Sequence, residues 1–324
     1  MSSVLATIVV VPREQFSRGR LCLDALRERT EGAHPLVYVD GNSPRPFAGE
    51  LARRADRGEL TLARTEHYLP GNVARNLGLA HVHTKYVAFL DNDVLVWPGW
   101  LSALIRCAEE TGAWVVGPLY CIGGPESEVV HTSGADLAIV EMGGHRRLHE
   151  RHLRCEEPAA VVRAEVARTR RDEVEFHCLL ARTDLFDRLG PLDEALLSYF
   201  DHLDFCLGAR RAGGTIWIDC AATVTYLVPP PIAWADLPYF LLRWSATWYQ
   251  SSRARFCATW GLDPDDPAFA DHEHYRRAHR ARLLSPLSPV SRLLEPTLGR
   301  YLESTLVRDL ERSRIAAGCG TDPR

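Results

Sequence analysis

The sequence predicts an α/β protein, with a mixed, mostly parallel central sheet flanked by helices and a helical C-terminal extension. Three observations predict it. Short apolar runs rich in β-branched residues recur, as in Leu5 to Val11 and Tyr86 to Leu90, the pattern of strands buried on both faces. Charged segments with apolar residues at helical spacing separate them. After Pro229-Pro230-Pro231 the strand-like runs stop, and an aromatic-rich helical pattern runs from Leu237 to Trp260.

Taken in order, Leu5 to Val11 is the first strand, followed by a helix over about Gln15 to Arg29 that can pack Leu21, Leu23, Ala25 and Leu26. "HPLVYVDGNS" gives a second strand ending in Asp40 and a Gly/Asn/Ser turn, which completes a strand-helix-strand unit. Glu50 to Arg57 reads as a short helix, "LTLARTE" as a third strand, and Gly71 to His81 as a helix capped by Asn72. "YVAFLDNDVLV" is the clearest strand, with three polar residues interrupting it; Trp97 to Glu110 is the next helix and "AWVVGPLY" the next strand. From Gly123 to Glu173 the periodicity weakens, and loops with short irregular elements are expected. "EFHCLLAR" restores a strand, "TDLFDRLG" a short helix, "DEALLSYFDHLDFCLGARRAG" a turn into a helix, and "TIWIDCAATVTYL" a closing strand. The tail after Asp263 reads as charged helix broken by Pro and Ser at 286 to 289.

The 324 residues suffice for a large core, and a net charge of -4 gives no global attraction to nucleic acid or anionic lipid. The densest basic run, Arg163 to Arg171, is expected to be a solvated helix face or a surface beside a charged substrate. Nine cysteines without a CxxC pair, several inside apolar runs, suggest reduced thiols and a cytoplasmic address. "VLATIVVV" is too short to span a membrane and lacks the flanks of a signal peptide, so membrane contact would be peripheral.

Chemistry concentrates in two places. Asp91 and Asp93, two apart at the end of an apolar strand, point to one side if strand geometry persists, and two close carboxylates suit a divalent cation that neutralises a diphosphate. A capped turn, with Asp and Asn accepting backbone N–H groups, is the alternative. Asp201, His202 and Asp204 sit near a helix start, where His202 beside carboxylates could act as a general base, or Asp201 could simply cap the helix. Asp40, Asn42 and Ser43 end the second strand and could bond a base or ribose, or form a turn without a ligand; Arg75 and Asn76 could reach an anion. No GxxxxGK[ST] or strand-linked GxGxxG is present, which argues against a P-loop kinase or a nicotinamide enzyme.

These residues resemble one family. "GPLDEALLSYFDHLDFCLGARRAGG" resembles the "GxFDExFFxxxEDxDxxxRxxxxG" segment of the family 2 glycosyltransferases, inverting enzymes with the spore-coat-polysaccharide-synthase type of GT-A fold; "GNVARNLGL" and Asp91-Asn92-Asp93 resemble its other elements. The resemblance covers roughly residues 4 to 228. It implies a catalytic domain over 1–228, with a nucleotide-sugar half over about 1–120 and an acceptor half over about 121–228, and a helical extension over 229–324. It implies donor contacts from Pro12, Asp40, Asn42, Ser43, Arg75, Asn76, Asp91, Asn92 and Asp93, with Mn2+ or Mg2+ at Asp93 and Asp91. Asp201 stands at the glutamate of the family's Glu-Asp pair and His202 at its base aspartate, so the base is one or the other; Asp204 falls on the acceptor side. Many relatives carry a histidine where Thr225 and Tyr226 stand here, so His131 or His177 would have to enter from elsewhere. Trp244, Trp248 and Arg243 form either an acceptor wall or a packed aromatic core. The implied activity is metal-dependent inverting transfer from a nucleoside diphosphate sugar, of uridine or thymidine type, to a hydroxyl on a saccharide, lipid-linked glycan or small natural product. The alternatives are a catalytically silent nucleotide-sugar binding or scaffold protein and a sugar-nucleotide pyrophosphorylase. Apolar residues between Tyr275 and Leu310 could dock on the catalytic domain or pair a homodimer.

Overall fold

The computed structural model describes residues 4–228 and 232–284. Pro229-Pro230-Pro231 and the expected break at 286–289 lie outside the described residues, as does the end of the segment read as a dimer surface.

The first half alternates as expected: β1 (Ala6–Val11), α1 (Gly19–Arg29), β2 (Leu36–Gly41), α2 (Arg45–Asp56), β3 (Thr61–Thr65), α3 (Gly71–Leu79), β4 (Tyr86–Asp91), β5 (Val94–Val96), α4 (Trp100–Thr111) and β6 (Val115–Gly123). A 3-10 turn over Phe16–Arg18 delays α1 beyond the expected start at Gln15. The long strand expected over 86–96 divides into β4 and β5 at Asn92-Asp93.

The weakly patterned stretch is not loop. It contains β7 (Val130–Thr132), β8 (Ala135–Met142), β9 (His145–His152), α5 (Ala159–Glu165) and β10 (Arg168–Arg171). β8 and β9 pair over their whole length as a separate two-stranded sheet, turning at Gly143 and Gly144 with φ of 62 and 79 degrees. Both turn residues are left-handed, a conformation that glycine adopts without strain. The basic run Arg163 to Arg171 is therefore the end of a helix and an edge strand, with Arg168 paired to Asp219 and Glu110.

β11 (Cys178–Arg182), α6 (Asp184–Leu189), α7 (Asp201–Arg211) and β12 (Ile216–Leu227) follow. The main sheet has ten strands in the order β10-β12-β6-β11-β4-β1-β2-β3, with β5 against β12 and β7 against β6. β1 pairs in parallel with β2 and β4, while β11 runs antiparallel between β4 and β6. Every residue of β1 and β4 is buried, which accounts for their unbroken apolar runs.

α8 (Leu237–Arg243), α9 (Ala246–Trp260) and α10 (Pro267–Leu284) are the last elements among the described residues. Tyr249, Phe256, Trp260 and Phe269 belong to the same apolar core as the sheet. Eight of the cysteines are described, all as free thiols and seven of them buried. No helix among the described residues is long and apolar enough to cross a membrane.

Candidate active site

A cleft opens where β1 and β4 end, lined by Pro12, Arg13, Arg75, Asp91, His177 and Asp201 among others. Strand order puts it there: β1 and β4 run side by side, so the segments that follow Val11 and Asp91 leave the sheet together. Asn92 ties them by accepting the Arg13 N–H at 3.1 Å and donating to the Gln15 carbonyl at 3.0 Å. The middle residue of the triplet is thus a structural clasp.

Asp91 is 1% exposed and lies between two guanidinium groups, Arg13 at 3.0 Å and Arg75 at 3.4 Å. Burial alone would raise its carboxyl, but His177, Arg13 and Arg75 hold it below the usual range. Asp93 differs. It is 0% exposed, and neither carboxylate oxygen has a hydrogen-bond partner among the described residues. Burial pushes its carboxyl well above the usual range; Arg13 opposes the shift while Glu14 and Asp91 add to it. The orphaned oxygens of Asp93, beside the buried carboxylate of Asp91, fit a cation.

His177 joins them: ligand atoms of Asp91, Asp93 and His177 all lie within 4.8 Å of one another. Arg13 Nη1 is 3.0 Å from His177 Nδ1. Because a guanidinium only donates, Nδ1 is the acceptor and the ring proton sits on Nε2, which faces Glu175 at 3.3 Å. Burial, then Arg13, pushes this imidazole down to about 4, so it is neutral and able to ligate. The Tyr226 ring packs against His177 at a tilt, with ring centres 4.3 Å apart.

Arg75 spans the cleft, donating to Asp201 at 2.7 Å and resting 3.8 Å above the Phe176 ring. Burial would raise Asp201, but Arg75 and His202 hold it well below the usual range. His202 lies 3.4 Å from Glu173 and 3.6 Å from Asp201. Burial disfavours its charge, yet these two carboxylates carry it up to about 10. At neutral pH, His202 is a cation and Asp201 an anion.

Other residues singled out in the sequence lie in more committed settings. Asp40 accepts the Ser43 N–H at 2.8 Å and hydroxyl at 2.9 Å and pairs with Arg64, closing a turn in which Asn42 has φ of 67 degrees. Asn76 staples α3 to the segment before α7, donating to the Leu192 carbonyl and accepting its N–H. Asp204 accepts the Trp260 indole N–H at 2.8 Å. Trp248 is 5% exposed and packs away from the cleft, whereas Arg243 and Trp244 line it. Sequence reasoning passed over Arg13, Glu150, His152 and Glu175, all on the cleft wall. A signal was available: Glu173, Glu175 and His177 are spaced two apart ahead of β11, as are Glu150 and His152 in β9.

No curated protein matches this chain. Its fold is similar to that of GalNAc-T7 in a crystal structure with UDP, GalNAc and Mn2+, at 16% identity and a TM-score of 0.56 over 85% of this chain. The chain spans 55% of the length of that protein. It is also similar to S. aureus TarS 1-349 in complex with UDP-GlcNAc, at 15% identity and a TM-score of 0.51, covering 86% of this chain and 72% of that one. At such identities the likeness concerns the GT-A fold. Residues 9–174, just over half of the chain, match the family described as Glycosyl transferase family 2, and the chain belongs to that family.

Proposed function

We propose that this chain transfers a sugar from a nucleoside diphosphate sugar to an acceptor hydroxyl, with inversion, at the cleft below Asp91 and Asp93. The observation that carries the proposal is Asp93, a carboxylate with no exposed surface and no partner among the described residues, beside Asp91 and His177. These three would hold a divalent cation, Mn2+ or Mg2+, which when bound neutralises the diphosphate as it leaves. Arg13 and Arg75 orient Asp91 and add positive charge to the same wall. Asp201, ionised and on the cleft wall, accepts the proton of the acceptor hydroxyl. His202, already charged, lines the same cleft 3.6 Å from Asp201 and holds it in place.

Pro12, on the cleft wall, and the turn at Asp40, Asn42 and Ser43 are the proposed base and ribose contacts, and Arg243 with Trp244 the acceptor wall. A saccharide, lipid-linked glycan or small natural product is the proposed acceptor class, in a cytoplasmic setting peripheral to the membrane. Homodimer pairing through the tail is proposed separately and would be read by light scattering of the full chain.

The test is a mass-spectrometric screen for donor hydrolysis, beginning with uridine diphosphate sugars and extending to thymidine and guanosine donors, each with Mn2+, Mg2+ or a chelator. Metal-dependent release of one diphosphate is expected, falling at least about 100-fold in Asp93→Asn. Donor binding without release, whatever acceptor is added, would favour a silent nucleotide-sugar binder. Neither binding nor release from any donor would remove the proposal.

A further inference from the structure

Beyond Asp91 and His177, the same cleft gathers a second set of ligand-type side chains from three separate elements. β7 supplies His131, β9 supplies Glu150 and His152, and the segment before β11 supplies Glu173 and Glu175. His131 Nε2 lies 3.2 Å from Glu175 Oε1, and His152 Nε2 lies 4.0 Å from the same oxygen. Ligand atoms of His131, His152 and Glu175 all fall within 4.8 Å of one another.

Hydrogen bonding among these groups leaves them unsatisfied. His152 Nε2 is 3.1 Å from Glu150, 3.8 Å from Glu173 and 4.0 Å from Glu175, but a single ring N–H serves one acceptor. One Glu173 oxygen is buried without a hydrogen-bond partner among the described residues, while Glu150 faces His272 at 3.1 Å and Glu175 faces His177 at 3.3 Å as ion-pair contacts. Glu173 is 1% exposed and Glu175 is 8% exposed. A buried orphaned carboxylate oxygen among three carboxylates that share so few N–H donors is costly unless something not made of protein satisfies it.

We propose that His131, His152 and Glu175 form a second metal site, separate from Asp93, for a divalent transition-metal ion of the zinc class. Two imidazoles and one carboxylate make a ligand set that borderline-soft divalent ions take, leaving positions open towards the cleft, whereas Mg2+ prefers oxygen ligands throughout. Glu150 and Glu173 add negative charge at its edge. All three ligands line the cleft, which gives the ion an entry path. The site meets the Asp91 and Asp93 centre through Glu175, whose second oxygen faces His177 Nε2, and through His131, whose ring packs edge-on against His177.

Metal content of the full chain tests this without reference to sugar transfer. The protein is stripped with a chelator, loaded with Zn2+, desalted and measured by elemental mass spectrometry as wild type, as Asp93→Asn, and as Asp93→Asn combined with His131→Gln and His152→Gln. Asp93→Asn is expected to retain one zinc per chain and the triple variant none. Loading Asp93→Asn with Co2+ is expected to give the intense visible bands of a nitrogen-ligated, low-coordinate ion. The cobalt spectrum decides the matter even if the triple variant does not fold. No retained zinc in Asp93→Asn, zinc unchanged in a folded triple variant, or the pale spectrum of oxygen-only ligation would each overturn the site, leaving an ion-pair network. Zinc retained with no donor turned over would keep this site and remove the transferase reading; donor turnover without retained zinc would do the reverse.

Discussion

The Glu14 carboxylate has no exposed surface, yet it accepts the Tyr226 hydroxyl at 2.5 Å on one oxygen and the Trp244 indole N–H at 2.5 Å on the other, with His279 at 3.2 Å. Burial would raise its pKa, but attraction and hydrogen bonding from His279, with help from Arg13 and Tyr226, hold it well below its ordinary value of 4.5. A depressed carboxyl contributes stability above its unfolded pKa and loses it as pH falls towards the folded value. Glu14→Ala, which strands the Tyr226 and Trp244 donors and the buried His279, is expected to cost about 3–5 kcal/mol in urea unfolding at neutral pH. Glu14→Gln should cost less, and its deficit should stay level from about pH 7 to about pH 5 and shrink as pH falls further to about pH 3; a deficit constant down to about pH 3 would show that the charge contributes nothing. The pH dependence of turnover separates the two candidate bases. If Asp201 takes the proton, initial rates stay level from about pH 6 to pH 9 and Asp201→Asn loses about 100-fold to 10,000-fold, more than His202→Gln. A tenfold rise in rate per pH unit across the same range would instead make His202 the base, since it is carried up to about 10.

α3 brings Arg75 to the cleft by lying almost directly on the sheet. A Cβ at Gly78 would meet Val9 Cγ1 at 2.2 Å and Val39 Cγ2 at 3.2 Å, so β1 and β2 leave no room for a side chain there. Gly78→Ala should therefore destabilise by about 1–3 kcal/mol despite alanine's better helix propensity, and should weaken donor turnover by displacing Arg75. A melting temperature at or above that of the wild type would show that the helix seats with slack. The elements that carry this geometry were legible: β1 and β4 are buried on both faces and wrote unbroken apolar runs, and α3 and α7 wrote helical ones. The β8–β9 hairpin was not. Outside the main sheet it buries little, so "HRRLHERH" in β9 carries one buried residue, Leu148, and no apolar alternation. Only the Gly143-Gly144 turn and the spacing of Glu150 and His152 announced it. The site divides in the same way. Asp91, Asp93 and Arg75 come from elements adjacent in sequence and were identified from it, and His177 was named as an entrant from elsewhere, whereas its place beside Asp91, and that of Glu175, follow from the antiparallel insertion of β11 between β4 and β6, which local sequence does not specify.

At the scale of the whole molecule, the C-terminal helices are built into the core that supports the cleft. Asp236 accepts the Phe16 and Ser17 N–H groups, the Tyr239 hydroxyl donates to the Leu69 carbonyl at 3.0 Å, and Asp266 accepts the Leu148 N–H at 2.7 Å. Ser252 accepts the Leu197 N–H at 2.7 Å, steadying the segment that leads into Asp201. A chain ending at residue 228 would leave Glu14 without Trp244 and His279, and would expose Phe200 where Tyr249, Phe256 and Phe269 now cover it. An uncompensated buried carboxylate and an opened aromatic cluster each cost several kcal/mol, of the order of a whole domain's stability. The truncated chain is therefore expected to aggregate, or to keep its far-ultraviolet dichroism while losing near-ultraviolet signal and binding a hydrophobic dye. A soluble 1–228 fragment with a sharp, cooperative melt would mean that the sheet and its first helices form a self-sufficient domain, with the extension acting only as a cover for the cleft.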